Sequence, residues 1–243
     1  MRDAEKSGPV TKTESPDRVS LFSDFEIKGC GLDFERQAWE SGFKFVAGID
    51  EVGRGCLAGP VVAGACILDP AKELPSGLND SKQVATKQRH EIAAELKEIC
   101  IAYAFGSVSA EDIDRINILE ATKQAMRLAV ADLSPTPDFL LIDALVLKGV
   151  TFPQKSIIKG DSISASIAAA SILAKTFRDE LMHAYEAEYP EYGFSEHVGY
   201  GTKRHLGALK SHGPCPIHRK TFRGVLQRVE ISLAIDDQTG INI

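Results

Sequence analysis

The sequence contains little that would hold it in a membrane or cross-link it. Its longest apolar run without a charge covers residues 56–68, which is too short and too rich in glycine to cross a bilayer. The polar N-terminal segment lacks the apolar core of a signal peptide, so secretion is not expected. The five cysteines are scattered and include no CxxC pair, which argues against a zinc site and a disulfide framework. We therefore expect a cytoplasmic protein with reduced thiols and no membrane contact.

Acidic residues are absent from one long stretch of an otherwise acidic chain. The net charge is −6, yet residues 197–228 contain no Asp or Glu. A solvated helical face explains most charge runs. An acid-free basic tract also fits a surface that contacts phosphates, so both interpretations are open at this point. The basic residues of the tract are Lys203, Arg204, Lys210, Arg219, Lys220, Arg223 and Arg228, with His197, His205, His212 and His218 among them.

Hydrophobic periodicity predicts an α/β protein with a mixed five-stranded sheet flanked by helices. The chain has 243 residues, which is enough for one large domain or for one domain and an appendage. Apolar runs bounded by turn residues predict strands over 45–50, 61–68, 101–108, 139–143 and 156–160. Helical spacing predicts helices over 34–40, 86–100, 116–133 and 161–185. Residues 1–20 are polar and are expected to be disordered.

Three regions follow from this pattern. Residues 1–40 form a polar, partly disordered N-terminal extension, and residues 41–190 form the α/β domain. Residues 191–243 form a helical C-terminal appendage, whose helices are separated by loops that contain Gly and Pro. No internal repeat is visible.

Acidic residues stand at the ends of three predicted strands. Asp50 and Glu51 follow the first strand, Asp143 ends the fourth, and Asp161 follows the fifth. Packing explains such acids poorly, because a buried carboxylate without a partner is expensive. Neighbouring strand ends lie about 5 Å apart, so the four carboxylates could share cations, and hard oxygen ligands select Mg²⁺ or Mn²⁺. The alternative is that some of them cap a following helix, Asp161 above all.

The loop after the first strand decides whether Asp50 and Glu51 can share a site. Consecutive strand residues point to opposite faces, so the chain would have to turn at Glu51. The sequence Gly53-Arg54-Gly55 supplies such a turn, and its glycines allow backbone N–H groups to approach a ligand. An ordinary strand connection is the alternative. The loop is not a P-loop, because no Gly-Lys-Ser/Thr follows.

Together these segments closely resemble the type 2 ribonucleases H, the ribonuclease HII family. Residues 47–55 read AGIDEVGRG, which is similar to the first motif of that family almost letter for letter. Cys56 stands where the family often has Pro, and Thr221 where it often has Ser. The resemblance extends over about residues 45–228. Its other matching segments are 57–62, 78–82, 141–143, 159–161, 174–175, 178–179, 192–194, 199–202 and 218–222.

The resemblance implies a ribonuclease H-like fold and a metal-dependent endonuclease. Asp50, Glu51, Asp143 and Asp161 would hold two Mg²⁺ or Mn²⁺ ions, and no protein nucleophile would be needed. The substrates would be RNA–DNA hybrids and DNA duplexes that contain ribonucleotides. The expected products carry a 5′-phosphate and a 3′-hydroxyl.

The resemblance also implies which residues contact the substrate. The backbone of Gly53-Arg54-Gly55 would read a 2′-hydroxyl, the feature that distinguishes RNA from DNA. Tyr200 would lie at the junction between ribonucleotide and deoxyribonucleotide, although a tyrosine between two glycines is as commonly a loop anchor. The remaining candidates, which would hold phosphates, are Lys82, Lys203 and Arg204.

Several rival functions can be stated. A ribonuclease HIII would carry a sizeable extra folded domain, whereas a short and mostly polar segment precedes Asp50 here. A non-catalytic binder of RNA–DNA hybrids would have lost its acids, and all four are present. A general metal phosphatase or DNA nuclease on the same sheet would not need Gly53-Arg54-Gly55 or Tyr200. A monomer is expected, and no motif in the sequence supports binding to a sliding clamp.

Overall fold

A computed structural model describes residues 29–226, and a five-stranded sheet forms its centre. The strands are β1 (Val46–Val52), β2 (Val61–Ile67), β3 (Ala102–Val108), β4 (Phe139–Asp143) and β5 (Gln154–Ile157), in the order β3-β2-β1-β4-β5. The helices are α1 (Asp33–Glu40), α2 (Thr86–Ile99), α3 (Ala110–Ile116), α4 (Ile118–Ala131), α5 (Ala165–Glu188), α6 (Phe194–His197) and α7 (Lys203–His212), with a 3₁₀ turn at Gly160–Ser162. The predicted mixed sheet flanked by helices is confirmed.

The pairing of the strands brings three strand ends to one edge of the sheet. β1 pairs antiparallel with β2, which pairs antiparallel with β3. β1 pairs parallel with β4, and β4 pairs parallel with β5. Parallel strands end on the same side of a sheet, so the carboxyl ends of β1, β4 and β5 are neighbours.

Helices cover both faces of the sheet, which explains why β2 is buried along its whole length. α4 packs on one face and α5 on the other. α5 is rich in Ala and Ser and crosses β1 and β2 very closely. A Cβ added at Gly48 would lie 2.0 Å from the backbone carbon of Ser166, and one at Gly64 would lie 2.5 Å from the carbonyl oxygen of Ala170. Glycine is therefore required where the helix backbone meets these strands.

Four expectations from the sequence need correction. The helix predicted over 116–133 is two helices, because Asn117 adopts φ 69° and its Oδ1 accepts hydrogen bonds from two backbone N–H groups at the start of α4. The chain does not turn at Glu51, since β1 continues to Val52. Asp161 does not cap α5, because Ser164 occupies that position and its side chain accepts from the backbone N–H of Ile167. β5 also ends three residues earlier than predicted.

The C-terminal segment packs against the end of the sheet and against α5. Its helices are α6 and α7, and no helix follows α7 within residues 29–226. An apolar cluster joins Tyr192, Phe194 and Leu209 to Leu57 and Met182. The predicted domain boundary near residue 190 stays a prediction.

Some predictions concern residues outside 29–226. They are the disorder of residues 1–20, the end of the C-terminal appendage and the last member of the basic tract, Arg228. Within the described part of the chain, no helix is long and apolar enough to cross a membrane.

Candidate active site

The four acids predicted from strand ends lie at the edge where β1, β4 and β5 end. Asp50 and Glu51 are consecutive residues near the end of β1, close enough for their charges to interact although the strand does not turn there, and Asp143 is the last residue of β4. Asp161 lies in the 3₁₀ turn after β5. The backbone N–H of Gly160 donates to Asp143 Oδ1 over 2.7 Å, which fixes this turn against the end of β4.

Mutual repulsion marks these carboxylates as one electrostatic unit. Burial raises the pKa of Asp50 well above its usual range, and the charges of Glu51 and Asp143 raise it further. Burial also raises the pKa of Glu51, with a further contribution from Asp143. Asp143 has a raised pKa because it is desolvated and because Asp161 is close. The cluster therefore holds more negative charge than its surroundings stabilise.

Two cationic side chains compensate part of this charge. Arg54 Nη1 lies 3.0 Å from Glu51 Oε1, and Lys82 Nζ lies 3.6 Å from Asp161 Oδ2. Glu51 Oε2 is buried and has no hydrogen-bond partner. An unpartnered carboxylate oxygen beside three other acids is a suitable ligand for a hard cation. Within residues 29–226, no three His, Cys, Asp or Glu side chains are arranged as a ready metal shell.

A cleft next to the acids brings most of the other predicted site residues together. Arg54 and Gly55 are exposed in it, and the Tyr200 side chain is 41% exposed. The glycine at position 55 has open space where a Cβ would lie, so its backbone is accessible to a ligand. The lining residues are Glu51, Val52, Gly53, Arg54, Gly55, Ser81, Lys82, Ser171, Lys175 and Tyr200.

Two buried arginines, Arg178 and Arg219, fix the backbone around this cleft. The sequence did not indicate this role. Arg178 donates to the carbonyl oxygens of Ala58, Pro60 and Val198 over 2.8–3.0 Å. A Cβ at Gly53 would lie 2.2 Å from Arg178 Nε, and Gly53 has φ 89°, so glycine is needed there.

Arg219 acts on the same loop from the C-terminal segment. Its Nη1 donates to the carbonyl oxygen of Arg54 over 2.9 Å, and its Nε donates to that of Gly59 over 3.0 Å. The two arginines contact carbonyl oxygens more than 100 residues away in sequence. No local pattern could have revealed these contacts, although both residues lie in segments that match the ribonuclease HII motifs.

The basic tract is not one surface. Lys203 and Arg204 are exposed at the start of α7 and do not line the cleft. Arg204 forms an ion pair with Glu196. Arg219 is fully buried. The imidazoles of His197, His205 and His218 are buried too, so the interpretation of the tract as a single solvated helical face is wrong.

Comparison with known proteins assigns the chain to a family. The family model described as Ribonuclease HII matches residues 47–225. The chain belongs to the ribonuclease HII family. The Ribonuclease HII of Chlamydia caviae is 56% identical over 219 residues, which cover 90% of this chain and 100% of that protein. The Ribonuclease HII of Desulfitobacterium hafniense (strain DSM 10664 / DCB-2) is 55% identical over 197 residues, which cover 81% of this chain and 75% of that protein. The chain is accordingly an endonuclease of the type 2 ribonuclease H class.

Solved structures agree with the family. The ribonuclease H2 from Pyrococcus horikoshii OT3 superposes with a TM-score of 0.63 at 28% identity, covering 75% of this chain and 95% of that chain. The RNase HII of Archaeoglobus fulgidus, solved as a complex with PCNA, has a TM-score of 0.60 at 26% identity. The match covers 69% of this chain and 88% of that chain. Bst-RNase HIII in complex with Mn²⁺ has a TM-score of 0.56 at 20% identity, and the match covers 77% of this chain and 70% of that chain. At this identity the likeness shows the fold alone.

Proposed function

We propose that the chain cleaves the RNA strand of RNA–DNA hybrids and cuts on the 5′ side of ribonucleotides embedded in duplex DNA. Water would attack the phosphorus, the bond to the 3′-oxygen would break, and the products would carry a 5′-phosphate and a 3′-hydroxyl. The observation that carries this proposal is the shared cleft. Glu51, whose charge interacts with those of Asp50 and Asp143, lines this cleft together with the Gly53-Arg54-Gly55 segment and Tyr200.

Asp50, Glu51, Asp143 and Asp161 would hold two divalent ions, Mg²⁺ or Mn²⁺. Such a pair of ions activates the attacking water and stabilises the leaving 3′-oxygen. The fit rests on the donor set, which consists of hard carboxylate oxygens. It also rests on the unpartnered Glu51 Oε2 and on the burial and mutual repulsion that raise the pKa values of Asp50, Glu51 and Asp143.

The remaining residues of the cleft would bind and orient the substrate. Gly55 is exposed and has open space where a Cβ would lie, so its backbone can approach a ribose, which suits recognition of a 2′-hydroxyl. The ring of Tyr200 would pack on the sugar beyond the junction, with its phenol near that hydroxyl. Lys82, whose ammonium lies among the acids, would contact a phosphate close to the cleavage point.

Contacts further from the cleavage point would come from the start of α7. Lys203 and Arg204 are exposed there, three and four residues after Tyr200. Phosphate contacts of this kind supply affinity without sequence preference. They would reconcile a net charge of −6 with a polyanionic substrate, because Lys203 and Arg204 place positive charge close in sequence to Tyr200 of the cleft. A monomeric state stays a prediction, and the sequence itself gives no support for a sliding-clamp partner.

The test is cleavage of a DNA duplex that contains one ribonucleotide, with Mg²⁺ and with a chelator. We expect one cut on the 5′ side of the ribonucleotide, only with the metal present, and a 5′-phosphate on the downstream product. An all-DNA duplex of the same sequence is the control. Cutting of that control would indicate a general DNA nuclease, and binding without cutting would indicate a non-catalytic hybrid binder.

A further inference from the structure

Three buried histidines lie beside the cleft but have no part in the chemistry proposed above. The imidazole of His205 is 0% exposed and that of His218 is 1% exposed. His197 is also buried, and its ring stacks on that of His205 with centroids 4.4 Å apart. Six ring nitrogens in a buried cluster require six partners, and the identity of these partners shows what the cluster holds in place.

The hydrogen bonds of the His205–His218 pair allow one arrangement of protons. The backbone N–H of Cys215 donates to His218 Nδ1 over 3.0 Å, so the proton of this imidazole is on Nε2. His218 Nε2 lies 2.9 Å from His205 Nε2, which must therefore accept. The proton of His205 is then on Nδ1, which donates to the carbonyl oxygen of Tyr200 over 2.9 Å. The chain of hydrogen bonds starts at Cys215 and ends on the backbone of Tyr200.

His197 holds the preceding residue in the same way. The backbone N–H of Gly199 donates to His197 Nδ1 over 3.2 Å, and His197 Nε2 donates to the carbonyl oxygen of Tyr192 over 2.9 Å. The backbone held by these contacts is strained. Val198 is β-branched and has φ 43°, a conformation that such residues rarely adopt without external restraint.

We propose that His205, supported by His218, is a positioning residue that fixes the backbone of Tyr200 and thereby the place of its ring in the cleft. The proposal rests on the function proposed above for Tyr200. It requires both imidazoles to be neutral, since a proton on His205 Nε2 would face the N–H of His218. A proton on His218 Nδ1 would face the backbone N–H of Cys215.

The surroundings of the pair favour the neutral forms. Burial lowers the pKa of His205, and burial together with His205 lowers the pKa of His218 to about 4. The titratable groups that face the pair are His197 from α6 and, against His218, Cys215 and Tyr192. None of these three is a carboxylate that would stabilise an imidazolium.

Two substitutions of His205 separate a positioning role from a purely structural one. The amide nitrogen of asparagine lies as far along the side chain as Nδ1, so His205→Asn can still donate to the Tyr200 carbonyl. Glutamine places its amide near the former Nε2, so His205→Gln can contact His218 but loses Tyr200. An ordinary hydrogen bond is equivalent to a factor of about 2 to about 10 in rate. We expect His205→Gln to lose that factor on a single embedded ribonucleotide and His205→Asn to lose less.

The matched control is the exposed His90 of α2, replaced by Asn and by Gln. Neither control substitution should change a rate. The melting temperatures of both His205 variants are measured beside the rates on the embedded ribonucleotide and on a continuous hybrid. The proposal is overturned if both His205 variants lose rate equally and in step with melting temperature, or if neither loses rate.

A second measurement does not depend on activity. Long-range ¹H–¹⁵N correlation spectra of the full chain report which nitrogen of each imidazole carries the proton. We expect Nδ1–H for His205 and Nε2–H for His218, and a Tyr200 carbonyl resonance that shifts in His205→Gln much more than in His205→Asn. The opposite tautomers, or equal shifts, would overturn the proposal. Should the wild-type protein fail to cleave, the proposed function fails, while these spectra still decide whether His205 fixes Tyr200.

Discussion

The carboxylate edge and the histidine cluster both bury titratable groups, but they differ in how those groups are satisfied. Carboxylates are acceptors only, and the charges of Glu51, Asp143 and Asp161 raise the pKa values of their neighbours. A neutral imidazole both donates and accepts, so the six ring nitrogens of the three histidines all find partners inside the protein. The first region therefore keeps a buried carboxylate oxygen without a partner, whereas the hydrogen bonds of the second are complete, so that it can act as a rigid support.

The largest expected effect is the loss of cleavage rate when one acid of the carboxylate edge is removed. We expect Asp143→Asn to keep binding to an RNA–DNA hybrid, because repulsion toward phosphates falls, but to reduce the cleavage rate to below about a tenth at saturating Mg²⁺. Cleavage rates and hybrid affinity are measured together. Asp132→Asn, at an exposed acid beyond the end of α4, is the control and should behave as wild type. More than about a tenth of the wild-type rate would refute the role of Asp143.

Shortening Tyr200 should separate substrate recognition from chemistry. We expect Tyr200→Ala to impair cleavage at a single embedded ribonucleotide most, because a continuous hybrid offers many registers and further 2′-hydroxyls. Tyr200→Phe keeps the ring and loses a hydrogen bond equivalent to about 0.5–1.5 kcal/mol, so it should fall between wild type and Tyr200→Ala. Rates on both substrates are compared with thermal melts. Equal losses on both substrates with a matching loss of melting temperature would make Tyr200 a loop anchor.

Neutralising a buried acid should stabilise the metal-free protein. The folded state raises the pKa of Asp50, so its ionised form at pH 7 costs stability, and the cost grows as pH rises above the usual pKa of an aspartate. We expect Asp50→Asn to raise the free energy of unfolding by about 1 kcal/mol in chelator, which corresponds to about 2–4 °C in melting temperature. It should also weaken the stabilisation that Mg²⁺ or Mn²⁺ gives the wild type. A lower melting temperature in chelator would contradict this account of the edge.

The stability that the histidine cluster (His197, His205 and His218) contributes should depend on pH in the opposite sense to that of Asp50. The pKa of His218 is about 4 in the folded state and about 6.5 in an unfolded chain. The unfolded chain therefore binds more protons between these values, and stability is lost as pH falls from about 6.5 toward 4. The slope from one such group is at most about 1.4 kcal/mol per pH unit.

The measurement is urea unfolding of the wild type and of His218→Asn across this pH range. Asparagine keeps an acceptor for the Cys215 N–H but does not titrate, so the difference in stability between the two proteins should shrink as pH falls. Comparing the two proteins cancels the contribution of the carboxylate edge, which changes with pH in both. A constant difference would show that His218 does not titrate in this window.

The smallest effects are expected at the surface of α7. Replacing Lys203 and Arg204 by Ala should weaken binding to substrate and to plain duplex alike, and should flatten the dependence of affinity on salt. Lys203→Ala alone should lower the slope of log affinity against log salt concentration by about 1. Arg204→Ala should lower it less, because Arg204 is already paired with Glu196. An unchanged slope in the double variant would remove both residues from the binding surface.

The sequence alone determined the secondary structure and the location of the acids. Alternating and continuous apolar runs predict all five strands, because burial of one or both faces constrains the residue types along each strand. The motif at residues 47–55 identifies the family, and the acids at strand ends mark the edge where we propose that metals bind. Local patterns were less decisive at helix starts, since Ser164 caps α5 instead of Asp161, and Asn117 begins a new helix inside the segment predicted as one.

Tertiary structure alone decided how the basic tract is divided and what supports Tyr200. The sequence shows His197, His205, His218 and Arg219 as members of one charged segment, but folding buries all four. The reason is physical. Each of the four side chains forms a hydrogen bond with a backbone N–H or carbonyl group. The partner of Arg219 is more than 100 positions away in the sequence. Such contacts leave no periodicity in the sequence, because they depend on the place where distant segments meet and not on the order of neighbouring residues.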